Sequence, residues 1–187
     1  EPEPQLSTFK APVYTNISLG EPVILAFHQV FSQEANNKFE ELIDKTEGVN
    51  VVVPSWFVMT DNQGNYSSIA SRDYVEKAHA RGIQVWAMLN NVSTKESAAI
   101  NTRELMGSTS NRKKLIASLM EDADNYGFDG INLDFEGLKA EAGPHYVQFI
   151  RELSVACRQK GLVLSVDNYV PSAYTNFYNR REQGTVA

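Results

Sequence analysis

The sequence has a single cysteine, Cys157, so no disulfide framework can hold it together. It has no apolar run near the roughly 20 residues that a membrane-spanning helix needs. The longest runs, residues 22–27 and 49–54, are the length of strands. Basic excess is absent too: 17 Lys and Arg stand against 23 Asp and Glu, a formal charge of −6. Binding to a nucleic-acid backbone rests on clustered Lys and Arg, so that class of partner is disfavoured. No glycine-rich phosphate loop of the G-x-G-x-x-G or P-loop form occurs, which weakens a nucleotide-binding reading. His28, His79 and His145 are too scattered for the spacing of metal ligands, and no cofactor is expected. What is present is ordinary globular composition, with 42 % hydrophobic and 21 % charged residues. A neutral or weakly charged ligand suits that balance.

Residues 1–21 read as an extended, proline-rich linker, with Pro2, Pro4 and Pro12 interrupting any helix. From Pro22 the pattern turns regular. Residues 23–30, 49–57, 83–91, 130–136 and 162–171 read as strands, several of them rich in β-branched residues. Residues 35–46, 71–81, 111–126 and 144–160 read as helices from their apolar spacing. Ser71 supplies an N-cap, and Gly82, Gly127 and Gly161 supply stops. Residues 61–65 read as a turn-rich loop. Strand and helix thus alternate, which predicts an α/β chain with a parallel sheet and crossover helices. A doubly wound sheet and a (β/α)8 barrel both satisfy that pattern. A barrel takes about 250 residues, so as a barrel these 187 residues stop after about five strand–helix units.

In both architectures functional groups gather at the carboxyl ends of the strands. The fourth strand carries the sharpest signal there. Asn132, Asp134 and Glu136 alternate with Ile131, Leu133 and Phe135, so the three polar groups share one face. Two carboxylates two residues apart repel, which pushes one of them toward its protonated form. A carboxylic acid kept protonated at neutral pH is what general acid catalysis requires. A solvated strand end is the simpler alternative for the same spacing. Elsewhere, Trp56 offers a flat apolar face, with core packing as the alternative. Asn90 or Asn91 could hydrogen-bond a ligand, but only one can point inward, and Asn90 is favoured. Asp167 and Tyr169 share an interior face with Ser165, and His28 ends the first strand.

The stretch Asp129-Gly130-Ile131-Asn132-Leu133-Asp134-Phe135-Glu136 resembles the DGxDxDxE signature of glycoside hydrolase family 18, the chitinase-like family. It follows a Gly127-Phe128 pair and sits on the fourth strand–helix unit, as in that family. Trp56 and the order of elements are similar to the bacterial cell-wall and spore peptidoglycan glucosaminidase branch. The resemblance implies a (β/α)8 TIM-barrel catalytic domain, of which residues 22–187 would be the N-terminal part. It implies a substrate-assisted, retaining hydrolysis of β-linked N-acetylglucosamine polymers of the peptidoglycan or chitin type. Glu136 would be the general acid, and Asp134 would stabilise the substrate's acetamido group. Asp129 would hold the start of the strand and tune the array. In such a cleft Trp56 would stack on a sugar ring, Asn90 would hydrogen-bond a sugar hydroxyl, and Asp167 and Tyr169 would line the wall; His28 would line the floor or, as the favoured reading, be a satisfied buried histidine. An extracellular, cell-wall or spore-associated location would follow.

Two departures from the family pattern stand out. Asn132 replaces the middle aspartate, so a proton shuttle between two aspartates on this strand is lost, although an amide can still hold Asp134 by hydrogen bonding. The family's tyrosine on a sixth strand lies beyond the last residue of this chain. A non-catalytic carbohydrate-binding protein with an incomplete site is therefore the second reading, and a doubly wound binding domain the third. A five-strand portion of a barrel would also leave open edges able to pair with a second copy; a fragment of a longer protein is the favoured expectation.

Overall fold

The structure is a computed structural model that describes residues 20–91 and 100–168. In chain order it holds β1 (Leu25–His28), a 3-10 helix (Gln33–Lys38), α1 (Phe39–Ile43), β2 (Val51–Pro54), β3 (Phe57–Met59) and β4 (Tyr66–Ser68). There follow α2 (Arg72–His79), β5 (Gln84–Asn90), α3 (Thr102–Gly107), α4 (Thr109–Tyr126), β6 (Gly130–Asp134), a 3-10 turn (Ala140–Ala142), α5 (Gly143–Lys160) and β7 (Val163–Val166). Tyr169 and the residues assigned to the linker before Gly20 lie outside the described residues.

The main sheet runs β1-β2-β5-β6-β7, with every neighbouring pair parallel. The strand order follows the chain order of the expected strand–helix units, as crossovers of one hand produce. Two details differ from expectation. The predicted strand 49–57 is two strands: β2 ends at Pro54, whose ring leaves the backbone without a donor, and β3 starts at Phe57. β3 then pairs in parallel with the upper half of β5 and antiparallel with β4, forming a hairpin over residues 61–65. The predicted helix 35–46 is a 3-10 segment capped by Ser32, followed by the single short turn of α1.

The helices form where the sequence supplies caps. Ser71 Oγ accepts from the Tyr74 N–H, and Ser108 Oγ from the Asn111 N–H. Pro144 sits in the first turn of α5, where its missing N–H costs nothing. The helices bury one face against the sheet through Tyr74, Val75, Leu115, Leu119, Phe149, Leu153 and Cys157. Burial pushes the Cys157 thiol up to about 12, so it is an inert core group. Arg112 of α4 is also buried; its guanidinium pairs with Glu152 of α5 and donates to the Met106 carbonyl at the end of α3. That ion pair ties three helices together behind the sheet.

The opposite face of the sheet holds a separate small cluster of Val51, Val53, Trp86 and Met88. Aligned residues of adjacent strands point the same way, so the register stacks this face in layers. Trp86, Gly130 and Val163 form one layer, and Met88, Asn132 and Ser165 the next. Gly130 is required by the first of these. A Cβ there would lie 2.8 Å from Trp86 Cδ1 and 2.9 Å from the Val163 carbonyl oxygen. Neither a buried indole nor a strand carbonyl can yield, so Gly130→Ala is expected to destabilise the fold by about 2 kcal/mol, the middle of the overpacking range. Urea denaturation with an unchanged m-value checks this.

Candidate active site

The third layer on that face consists of Asn90, Asp134 and Asp167, from the ends of β5, β6 and β7. Asn90 is aligned with Asp134, and the Asp167 N–H donates to the Leu133 carbonyl at 2.8 Å. Above them Glu136 lies just past the end of β6. These groups, with Gln29, Ser55, Phe27, Phe31, Val58 and Met88, line an open cavity of about 750 Å³. The cavity is therefore at the carboxyl end of a parallel sheet, where ligands of α/β folds bind. Its wall joins two exposed aromatic rings, Phe27 and Phe31, to a group of carboxylates.

Asn132 sits beneath the carboxylates and is fully buried. Its Nδ2 donates to Ser165 Oγ at 3.2 Å and to Asp167 Oδ1 at 3.1 Å. The substituted amide thus holds Asp167, on the neighbouring strand. Asp134 is half-buried. Burial first, then the charge of Asp167, then that of Glu136 hold its carboxyl above the usual aspartate range. The repulsion expected on this strand is present, with Asp134 as the carboxyl that is pushed up.

Glu136 is held by its backbone. Its N–H donates to Asn91 Oδ1 at 2.8 Å, and its carbonyl accepts from Asn91 Nδ2 at 2.9 Å. Both bonds of one amide are spent on one peptide, which fixes the loop that presents the Glu136 side chain. Asn91 follows Asn90 at the strand end, and strand alternation alone allowed only one of them to face inward; Asn90 lines the cavity while Asn91 clamps the loop. If Glu136 takes part in a reaction, Asn91→Ala is expected to lower turnover by about tenfold with KM within about twofold, since it frees the position of the Glu136 carboxyl. Equal loss in KM would count against the positioning role.

Two of the candidate residues, Trp56 and His28, sit in packed surroundings. Trp56 borders the cavity as expected, but it is only 1 % exposed, so little of its ring is open for stacking on a sugar. Its Nε1–H donates to Asn36 Oδ1 at 2.7 Å, and its ring meets Tyr74 edge-on. Phe31, in the loop after β1, and Phe27 are the exposed aromatic rings the cavity does offer. His28 points away from the cavity. Phe27 is aligned with Val53 of the inner cluster, so His28 faces the helices, where its Nδ1 lies 3.0 Å from the Tyr74 hydroxyl. Burial lowers its pKa, which fits a neutral, packed ring.

Asp129 lies at the opposite end of β6 from Glu136. Its Oδ2 accepts from the Val85 N–H at 2.8 Å and lies 2.8 Å from His79 Nε2. It pins the base of β6 to β5 and α2, as expected for the start of the strand, and it does not reach the cavity. Among the described residues no His, Cys, Asp or Glu cluster has the form of a metal site.

The family profile of glycosyl hydrolases family 18 matches residues 21–181. No curated protein sequence matches the chain. Among solved structures, a chitinase from Chromobacterium violaceum superposes with a TM-score of 0.67 at 23 % identity, over 88 % of this chain and 53 % of that one. The spore cortex-lytic enzyme SleL of Bacillus megaterium gives 0.66 at 16 % identity, over 82 % of this chain and 36 % of that one. A chitinase from Bacteroides thetaiotaomicron gives 0.62 at 19 % identity, over 86 % and 50 %. The chain spans about half the length of these structures or less. At such identities the likeness concerns the fold, and it selects the (β/α)8 barrel type over the doubly wound sheet. With the parallel sheet, the carboxylate motif at its carboxyl end and a profile match over most of its length, this chain belongs to glycosyl hydrolases family 18.

Proposed function

We propose that the site is the carboxylate half of a glycosidase cleft acting on β-linked N-acetylglucosamine polymers, of the peptidoglycan or chitin type. The observation that carries this reading is the meeting of Asp134 and Glu136 on the wall of one cavity at the carboxyl end of the sheet. In the proposed reaction Glu136 gives its proton to the glycosidic oxygen while the bond from that oxygen to C1 breaks. The carbonyl oxygen of the substrate's own 2-acetamido group attacks C1, and an oxazolinium ion forms. This is the substrate-assisted route, in which no enzyme carboxylate becomes the nucleophile. Asp134 accepts a hydrogen bond from the acetamido N–H and offsets the positive charge that develops on the ring. Glu136, now a carboxylate, takes a proton from the water that opens the ring, and configuration at C1 is retained.

Phe27 and Phe31, which line the same cavity, offer apolar faces for sugar C–H surfaces. Peptidoglycan is the preferred polymer, because the order of elements resembles the cell-wall and spore branch and the fold is similar to the spore cortex-lytic enzyme SleL. A substrate of that kind places the protein at a cell wall or spore.

The test is hydrolysis of N-acetylglucosamine oligomers and purified peptidoglycan by this chain and by a form extended through the family's remaining strands. Release of reducing ends with β-configured products supports the reading. Binding of both ligands without cleavage by either form would replace it with a carbohydrate-binding role, which the Asn132 substitution favours.

A further inference from the structure

We propose that Asp134 and Asp167 form one proton-sharing carboxylate pair, in which Asp167 of the β7 end supplies the second carboxylate that Asn132 removes from β6. The inference rests on the glycosidase reading for its role in turnover, and on geometry alone for the pair itself.

The register places the two residues side by side. Asn132 is aligned with Ser165 and Leu133 with Val166, so Asp134 and Asp167 occupy the next level on adjacent parallel strands. Adjacent strands lie roughly 4.8 Å apart, and aligned side chains share a face. Both residues line the same cavity. Asn132 explains why they stay together: one Nδ2 donates to Ser165 and Asp167, anchoring the β7 carboxylate against β6. An aspartate at position 132 would repel Asp167, so the amide and the relocated carboxylate are complementary.

Two buried hydrogen-bonding groups in this part of the molecule are unmet. Asn132 Oδ1 and the Tyr146 hydroxyl are buried and have no partner among the described residues. Tyr146 comes from α5 and is only 6 % exposed. Burial first, then the charges of Asp134 and of Asp167, raise its pKa. A pair that carries a single proton, and so a single charge, lessens the repulsion in this half-buried setting. The titratable groups facing Asp134 are then Glu136 from its own strand end and Asp167 from β7, while Tyr146 of α5, packed on Phe135, acts on the pair only through its field; β5 contributes only Asn90.

The pair solves a requirement of the proposed reaction. Asp134 must be ionised when the oxazolinium ion forms, yet its surroundings favour the acid. When the acetamido N–H arrives, the O–H bond on Asp134 breaks and one forms on Asp167. The negative charge moves to Asp134, and no proton is exchanged with solvent. Asp167 is thus a positioning residue for charge, acting through Asp134.

The test is a carbon-detected NMR titration of aspartate carboxyl groups in the full chain, in the wild type, in Asp167→Asn and in the double variant Asn132→Asp/Asp167→Asn. The wild type is expected to show two coupled steps, with Asp134 titrating above the ordinary range. In Asp167→Asn the Asp134 step moves to lower pH, and in the double variant it moves back up, because a carboxylate again stands beside it. On N-acetylglucosamine oligomers Asp167→Asn is expected to lose at least about tenfold in kcat with KM within about twofold, and the double variant to recover most of it. An Asp134 titration unmoved by Asp167→Asn overturns the pair, as does a double variant that does not restore it. If Asp167→Asn fails to fold, the presence or absence of coupled steps in the wild type still decides. Coupled titrations without hydrolysis by any form keep the pair and refute the glycosidase reading; hydrolysis with independent titrations does the reverse.

Discussion

Glu136→Gln is expected to lower kcat on N-acetylglucosamine oligomers by about 10³-fold while the oligomer dissociation constant changes by less than about threefold. Glutamine keeps the size of the side chain and its capacity to accept a hydrogen bond, but it has no acidic proton to give the leaving oxygen. The fold is not expected to suffer. Glu136 is exposed, and the bonds that hold it in place, to Asn91, come from its backbone and survive the substitution. Thermal unfolding should therefore stay within about 0.5 kcal/mol of the wild type, as for surface substitutions in general. The nature of the leaving group sharpens the test. An aryl glycoside with an acidic phenol needs little protonation, so its hydrolysis should fall far less than that of the oligomer. An equal fall for both substrates would mean that Glu136 acts through something other than proton donation. Undiminished oligomer hydrolysis would remove it from the mechanism.

The fold was legible wherever local chemistry and periodicity agreed. Ser71 and the glycines after α2, α4 and α5 marked helix ends because a cap and a left-handed stop are local events. The β3–β4 hairpin was not legible as strands. Each strand has three residues, and Ser67 and Ser68 carry no apolar alternation, so only the turn between them left a signal. α3, six residues long, was missed for the same lack of length. At the site, strand alternation placed Asp134 and Asp167 on the inner face correctly. It could not reveal that Trp56 lies past the end of β2, where alternation no longer fixes its direction and a partner such as Asn36 decides. For His28, the chain alone does not say which parity of β1 faces inward; alignment with Val53 settles that, and alignment is a tertiary fact. The clamp by Asn91 is of the same kind, since it joins the end of β5 to the loop after β6 across 45 positions.

Asp134→Asn is expected to abolish most activity and, at neutral pH, to raise the melting temperature. The activity loss, about 10²-fold or more in kcat, follows from removing the charge that faces the developing oxazolinium ion. The gain in stability follows from the direction of the Asp134 shift. Burial and the nearby Asp167 and Glu136 charges raise its folded pKa above that of the unfolded chain. Between those two pH values the folded state binds more protons than the unfolded state, so stability falls as pH rises through the window. Above the folded pKa the full cost of ionising a crowded carboxyl is present. Asparagine is neutral at every pH and of the same shape, so it removes that cost. The difference in melting temperature should be largest near neutrality and should vanish at about pH 3, below the ordinary aspartate range, where Asp134 is protonated in both states. Paired melting curves at the two pH values measure it. A variant no more stable than the wild type at neutral pH would show that Asp134 is well accommodated as a carboxylate, and its placement beside Asp167 would then be a favourable contact. A variant that is more stable and inactive identifies a group kept at a cost to the fold because the chemistry needs its charge.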